Sequence, residues 1–109
     1  MQDEIKGQYV IVELIDDLEE AMIVGSQSDI SRGVISGIQA VHDELLEMEG
    51  LFKTELHYKR LKADFRKLVD ELFEGCKGGD ESLCLGSMRQ LRDKSGILKN
   101  FLEKQDEKE

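Results

Sequence analysis

The sequence predicts an all-α protein, folded as an antiparallel four-helix bundle. The chain of 109 residues has no proline, its apolar residues recur at steps of three and four, and Gly25, Gly50 and Gly75 divide it into segments of similar length. Proline-free, charge-rich sequence with this spacing is typical of helices that bury one face and expose the other. The length fits one domain, predicted at residues 1–104, with a disordered acidic tail at 105–109.

The first helix is predicted over residues 8–24. Residues 9–12 are β-branched or aromatic and favour a strand, but the apolar spacing favours a helix. Gly25 can adopt the left-handed conformation that ends a helix, and Ser28 or Asp29 can cap the next one. The apolar seam of this helix is Ile11, Ile15, Leu18 and Met22.

The second and third helices carry longer seams, whose alternating steps of four and three are typical of helices packed in a bundle. We predict a break at residues 50–53 with Thr54 as the cap of the third helix, and one long helix through Gly50 is the alternative. The seams are Val34, Ile38, Val41, Leu45 and Met48, then Tyr58, Leu61, Phe65, Leu68 and Leu72.

The fourth helix is predicted to follow a glycine-rich turn from Gly75 to Gly79, with Asp80 as its N-cap. Cys76 and Cys84 flank this turn, and in an intracellular protein they are expected to be thiols rather than a disulfide. The seam of the fourth helix is Cys84, Met88, Leu91, Ser95, Leu98 and Leu102.

Small residues and spare apolar residues predict self-association. A track of small residues lets another backbone approach closely, and apolar residues beside a complete seam can meet the same patch of a second copy across a two-fold axis. We therefore predict a homodimer. Its predicted interface is Gly33, Gly37, Ala40, Val69, Phe73, Ile97 and Phe101.

The net charge of −9 disfavours direct binding of DNA or RNA, because that affinity comes mostly from Lys and Arg replacing counterions. Charge is also uneven: residues 1–25 hold seven acids and one base, whereas residues 53–67 hold six bases and two acids. Complementary packing of the first helix beside the third accounts for this pattern. No segment has the length of an apolar membrane span and the N-terminus does not resemble a signal peptide, so a cytoplasmic protein is expected.

Three acidic clusters recur every 27 residues, at 16–20, 43–47 and 70–74. Carboxylates three and four residues apart share a helix face and can hold Mg²⁺. In this spacing the clusters resemble the acid pairs of all-helical nucleotide pyrophosphohydrolases, and that resemblance implies a metal-dependent phosphohydrolase as the alternative function. No basic or glycine-rich phosphate cradle accompanies the clusters, and His42, His57 and the cysteines lack the short spacing of zinc ligands. We therefore expect no enzyme, cofactor or metal.

The sequence instead favours a non-enzymatic protein that binds another protein with a basic surface, as an adaptor, an assembly subunit or an inhibitor. A small acidic chain could occupy the basic nucleic-acid groove of a nuclease, as virus-encoded inhibitors do. Opposite charge would speed such an encounter and make it sensitive to salt. The predicted binding residues are Glu13, Asp16, Asp17, Glu20, Asp43, Glu44 and Glu47.

Overall fold

The computed structural model describes residues 8–52 and 54–107. Four helices occupy most of this length: α1 (Gln8–Ser26), α2 (Arg32–Met48), α3 (Glu55–Gly78) and α4 (Glu81–Glu107). Within these two ranges no residue forms a strand, which confirms the all-α prediction, including the first helix with its β-branched start. Helix α4 continues to Glu107 and so enters the segment predicted as a tail, while residues 108 and 109 lie outside the described residues.

The helices form two antiparallel hairpins, which we call hairpin one (residues 8–52) and hairpin two (residues 54–107). Helix α1 packs against α2 and α3, and α4 packs against α2 and α3, so that the four helices surround one core. Arg66 of α3 donates to Asp17 of α1 at 2.6 Å, and Gly25 lies against Cys76 further along both helices. Equivalent helices of the two hairpins therefore run parallel, although consecutive helices run antiparallel.

The core confirms the predicted seams except at Met22 of α1, which is only partly buried. Every seam residue of α2, α3 and α4 is buried, as are Ile11, Ile15 and Leu18 of α1. The two hairpins also share one pattern, because eleven buried residues of hairpin one each have a buried counterpart 50 positions later. These pairs are Ile11/Leu61, Ile15/Phe65, Leu18/Leu68, Gly25/Gly75, Val34/Cys84, Gly37/Ser87, Ile38/Met88, Val41/Leu91, Leu45/Ser95, Met48/Leu98 and Phe52/Leu102.

The turn between α1 and α2 differs from the prediction. Gly25 lies inside α1, which continues to Ser26, and the left-handed residue is Asp29, with φ of 63°. Ser31, rather than Ser28 or Asp29, caps α2 by accepting from the Val34 amide. Gly25 is required for close approach instead, because a Cβ atom there would lie 3.0 Å from Ile35 Cδ1 and 3.3 Å from Cys76 Sγ.

The turn between α3 and α4 is shorter than predicted. Helix α3 continues through Gly78, and Gly79 alone of the described residues in this turn is left-handed, with φ of 70°. Asp80 caps α4 by accepting from the Leu83 amide at 3.1 Å, as predicted. Gly75 is helical and packs against the backbone of α4.

The predicted break between α2 and α3 is confirmed. A short 3-10 helix (Glu49–Leu51) ends α2, and Thr54 caps α3 by accepting from the His57 amide at 3.2 Å. Phe52 is buried between them, its ring 5.0 Å from that of Tyr58. This buried aromatic contact fixes the direction in which the chain leaves hairpin one.

Candidate protein-binding surface

Hairpin one carries the surplus charge of the protein. Residues 8–52 contain ten Asp and Glu against one base, Arg32, whereas residues 54–107 contain eleven acids and eleven bases. The net charge of −9 for the whole chain is thus the charge of hairpin one. Because charged side chains stay at the surface, this layer presents a field of one sign to an approaching molecule.

Three of the predicted binding residues lie together on the outside of α1. Glu13, Asp16 and Glu20 are three and four residues apart, so they share one strip of the helix, and all three are exposed. Among the described residues none of them forms an ion pair. Their charge is therefore available to a partner.

Three of the other four predicted acids have partners within the fold, and the fourth, Glu44, has no ion pair with a described residue. Asp17 accepts from Arg66, which also donates to Asp70 at 2.8 Å. Glu47 accepts from Lys99 of α4 at 2.9 Å, and this hydrogen bond raises the pKa of Lys99. These two contacts join hairpin one to hairpin two and neutralise part of the negative charge of hairpin one.

His42 is a buried residue at the centre of hairpin one. Its Nε2 lies 2.9 Å from Glu19 of α1 and its Nδ1 lies 3.1 Å from Asp43 of α2. Burial alone would lower the pKa of His42, but the hydrogen bonds to Glu19 and Asp43 outweigh that effect and raise it. The imidazole is therefore held between two carboxylates and ties α1 to α2.

Asp43 takes part in the same network of hydrogen bonds. Gln39 donates to its carboxylate at 2.8 Å, and the hydrogen bonds from His42 and Gln39 lower the pKa of Asp43. Asp43 was among the binding residues predicted from the sequence, but the contact of His42 with Glu19 was not, because the two residues lie 23 positions apart and meet only when α1 packs against α2.

Exposed apolar side chains flank this ion pair. Val12 and Ile23 on α1 are 43% and 59% exposed, and Leu46 on α2 is 46% exposed. Val12 and Ile23 lie seven residues before and four residues after Glu19, so they share its strip of α1. Leu46 lies one turn after His42 on α2. The Glu19–His42 contact therefore places all three apolar residues along the outer groove between α1 and α2.

The predicted dimer residues do not form one surface. Val69 is buried in the core, and Gly37 is covered by Met88 of α4, whose Cε would lie 2.5 Å from an added Cβ. Gly33 and Ala40 are exposed on α2, while Phe73 packs partly against the core. Ile97 is 70% exposed on hairpin two.

Ile97 borders a small cavity between α3 and α4 that combines apolar and cationic side chains. The cavity measures about 170 Å³ and is lined by Arg60, Asp64, Lys94, Ile97, Leu98 and Phe101. The guanidinium of Arg60 lies over the ring of Phe101, 5.0 Å from its centroid. Phe101 is therefore partly covered within the chain.

The described residues contain no group of three His, Cys, Asp or Glu side chains that could hold a metal ion. Nor does any helix in the described ranges have the length and apolar character needed to cross a membrane. No family model, curated protein or solved structure matches the chain.

Proposed function

We propose that this protein is a non-enzymatic binding protein whose acidic hairpin one attaches to a basic surface of another protein. The observation that carries the proposal is the separation of charge: the surplus of nine acids lies on hairpin one, and hairpin two is neutral. Complementary charge accelerates encounter and excludes acidic partners more than it adds to affinity. Apolar contacts in the same layer would supply the affinity.

The unpaired acids support this proposal in a second way. Glu13, Asp16 and Glu20 are exposed on one strip of α1, and a fold stabilised by ion pairs within the chain has no need of them. Surface carboxylates without partners contribute little to stability. An inhibitor that fills a basic nucleic-acid groove of a nuclease is one form of this function, and an adaptor or assembly subunit is another.

The test is a pull-down from an extract of the cells that make the protein, at low salt and again at high salt. We expect a basic protein at low salt and a loss of recovery at high salt, because exposed charges are screened over about 8 Å at physiological ionic strength. Recovery of an acidic protein, or of a basic one regardless of salt, would contradict the proposal.

The alternative, a metal-dependent nucleotide pyrophosphohydrolase, is tested by incubation with nucleoside triphosphates and Mg²⁺ or Mn²⁺. We expect no release of phosphate or pyrophosphate. In the acidic cluster at 43–47, Asp43 lies against His42 and Glu47 accepts from Lys99, so their oxygens already have partners. Turnover that disappears in Glu44→Gln would overturn the binding function, because the loss of a metal ligand removes water activation.

A further inference from the structure

We propose that the outer groove between α1 and α2, which we call the α1/α2 groove, binds a basic amphipathic helix of the partner protein. This inference rests on the proposed function and adds the place of contact and the form of the partner. Val12, Glu19 and Ile23 line the groove on α1, and His42 and Leu46 line it on α2.

The first support is the apolar content of the groove. Val12, Ile23 and Leu46 leave about half of their side chains in water, and their burial by a partner would be favourable at roughly 25 cal/mol per Å² of apolar surface. These three side chains are the apolar content of the groove.

The second support is its length and rigidity. Val12 and Ile23 are separated by three turns of α1, or about 16 Å along the helix axis, which is the length that three turns of a partner helix would cover. The Glu19–His42 contact at 2.9 Å joins the two walls at a level between Val12 and Ile23. A groove held in this way needs little rearrangement before it binds.

The third support is the charge at its edges. Asp16 and Glu20 follow one edge on α1, and Asp43 lies at the other edge on α2, all of them exposed. A helix with apolar residues at every third or fourth position and Lys or Arg beside them would match both the groove and its edges. Charge complementarity thus selects a basic helix.

The same charges argue against other occupants. A second copy related by a two-fold axis would place the α1/α2 groove against itself and bring Asp16, Glu20 and Asp43 against their own copies. Anionic membrane surfaces would be repelled for the same reason, since they attract basic helices. A basic helix relieves this repulsion.

The experiment titrates the full chain with two peptides of roughly 18 residues that contain equal numbers of Leu and Lys. In one the leucines fall on one helical face, and in the other their order is scrambled. We expect the amphipathic peptide to bind at least tenfold more tightly than the scrambled one. Amide chemical shifts should change along the groove, at Val12, Ile23, Gln39 and Leu46, and not on α3 or α4.

Two variants locate the contact. Leu46→Ser removes an apolar side chain from the groove, and Leu56→Ser removes an exposed leucine from hairpin two as a matched control. We expect Leu46→Ser to reduce affinity for the amphipathic peptide about tenfold, and Leu56→Ser to leave it unchanged. Loss of affinity in Leu56→Ser but not in Leu46→Ser would overturn the inference.

The outcomes separate this inference from the proposed function. Equal binding of the two peptides, with no effect of Leu46→Ser, would overturn the groove and leave binding by charge intact. Failure of both cationic peptides to bind at low salt would overturn the groove and the charge-based function together.

Discussion

Gly75 shows how one residue sets the distance between two helices. A Cβ atom there would lie 3.0 Å from the Cys84 amide nitrogen, 3.1 Å from its Sγ and 3.2 Å from Leu83 Cβ. The backbone of α4 cannot move away without loss of other core contacts, so we expect Gly75→Ala to lower the free energy of unfolding by about 1–3 kcal/mol. Denaturant titration measures this change.

Gly86→Ala is the matched control, since Gly86 is also helical but has nothing within 4 Å of an added Cβ. Alanine stabilises a helix interior by up to about 1 kcal/mol relative to glycine. If Gly86→Ala loses as much stability as Gly75→Ala, close packing at Gly75 is not the cause of the loss.

His42 predicts a dependence of stability on pH. Because Glu19 and Asp43 raise its folded pKa above the ordinary 6.5, the imidazolium contacts contribute their full stability below pH 6.5 and lose it as the pH rises through the folded pKa. We therefore expect the stability difference between the natural chain and His42→Gln to shrink as the pH rises above 6.5. A difference that grows with pH would contradict this assignment.

Helix α2 allows core and surface to be compared at adjacent positions. Leu45 is fully buried, and Leu45→Ala should lower the free energy of unfolding by about 2–5 kcal/mol through lost contacts and a cavity. Glu44 is half-buried and makes no ion pair with a described residue, so Glu44→Ala should change stability by less than about 1 kcal/mol. If denaturation shows equal losses of unfolding free energy in Leu45→Ala and Glu44→Ala, the assignment of Leu45 to the core and Glu44 to the surface is wrong.

Helix α4 carries a polar exception in the core. Ser95 occupies the position that Leu45 has in hairpin one, is fully buried, and its hydroxyl has no hydrogen-bond partner. An unpaired buried polar group costs free energy, so Ser95→Ala should raise the free energy of unfolding by about 1 kcal/mol. The exposed Ser36→Ala reports helix propensity alone, and an equal gain there would show that the buried hydroxyl costs nothing.

Burial also explains why the two cysteines of hairpin two, Cys76 and Cys84, are unreactive. The sulfurs of Cys76 and Cys84 lie 3.1 Å apart as free thiols. Burial raises the pKa of Cys76, and burial together with the neighbouring thiol raises the pKa of Cys84 to about 12. Since the thiolate is the reactive form, both groups are protected by their packing.

The helices and the break before Thr54 could be predicted because their signals are local: apolar steps of three and four, and a residue that caps the next turn. The role of Gly25 could not, because it depends on Cys76, which is distant in sequence and adjacent only after α1 packs against α3. The contact between Glu19 and His42 could not be predicted for the same reason, because these residues meet only after α1 packs against α2. Of the candidate site, Glu13, Asp16 and Glu20 were predictable from charge, whereas the apolar groove required the pairing of α1 with α2.

The homodimer stays a prediction at the scale of the whole molecule, with fewer residues to support it. Val69 and Gly37 are buried within the fold. Ile97 and the partly covered Phe101 of hairpin two are left as apolar contacts for a dimer. Sedimentation equilibrium at tens of micromolar should give the mass of two copies, reduced to one in Ile97→Asp. A monomer mass for the natural chain would remove the prediction.

For the proposed binding function, the position of the charge matters more than its amount. Two triple variants remove three exposed carboxylates each: Glu13→Gln, Asp16→Asn and Glu20→Gln on hairpin one, and Glu74→Gln, Asp93→Asn and Glu103→Gln on hairpin two. Quantitative mass spectrometry would compare what each variant and the natural chain capture from the same extract at low salt. We expect the hairpin-one variant to lose the basic partner and the hairpin-two variant to keep it. Equal recovery by both variants would show that the charge of hairpin one does not bind the partner.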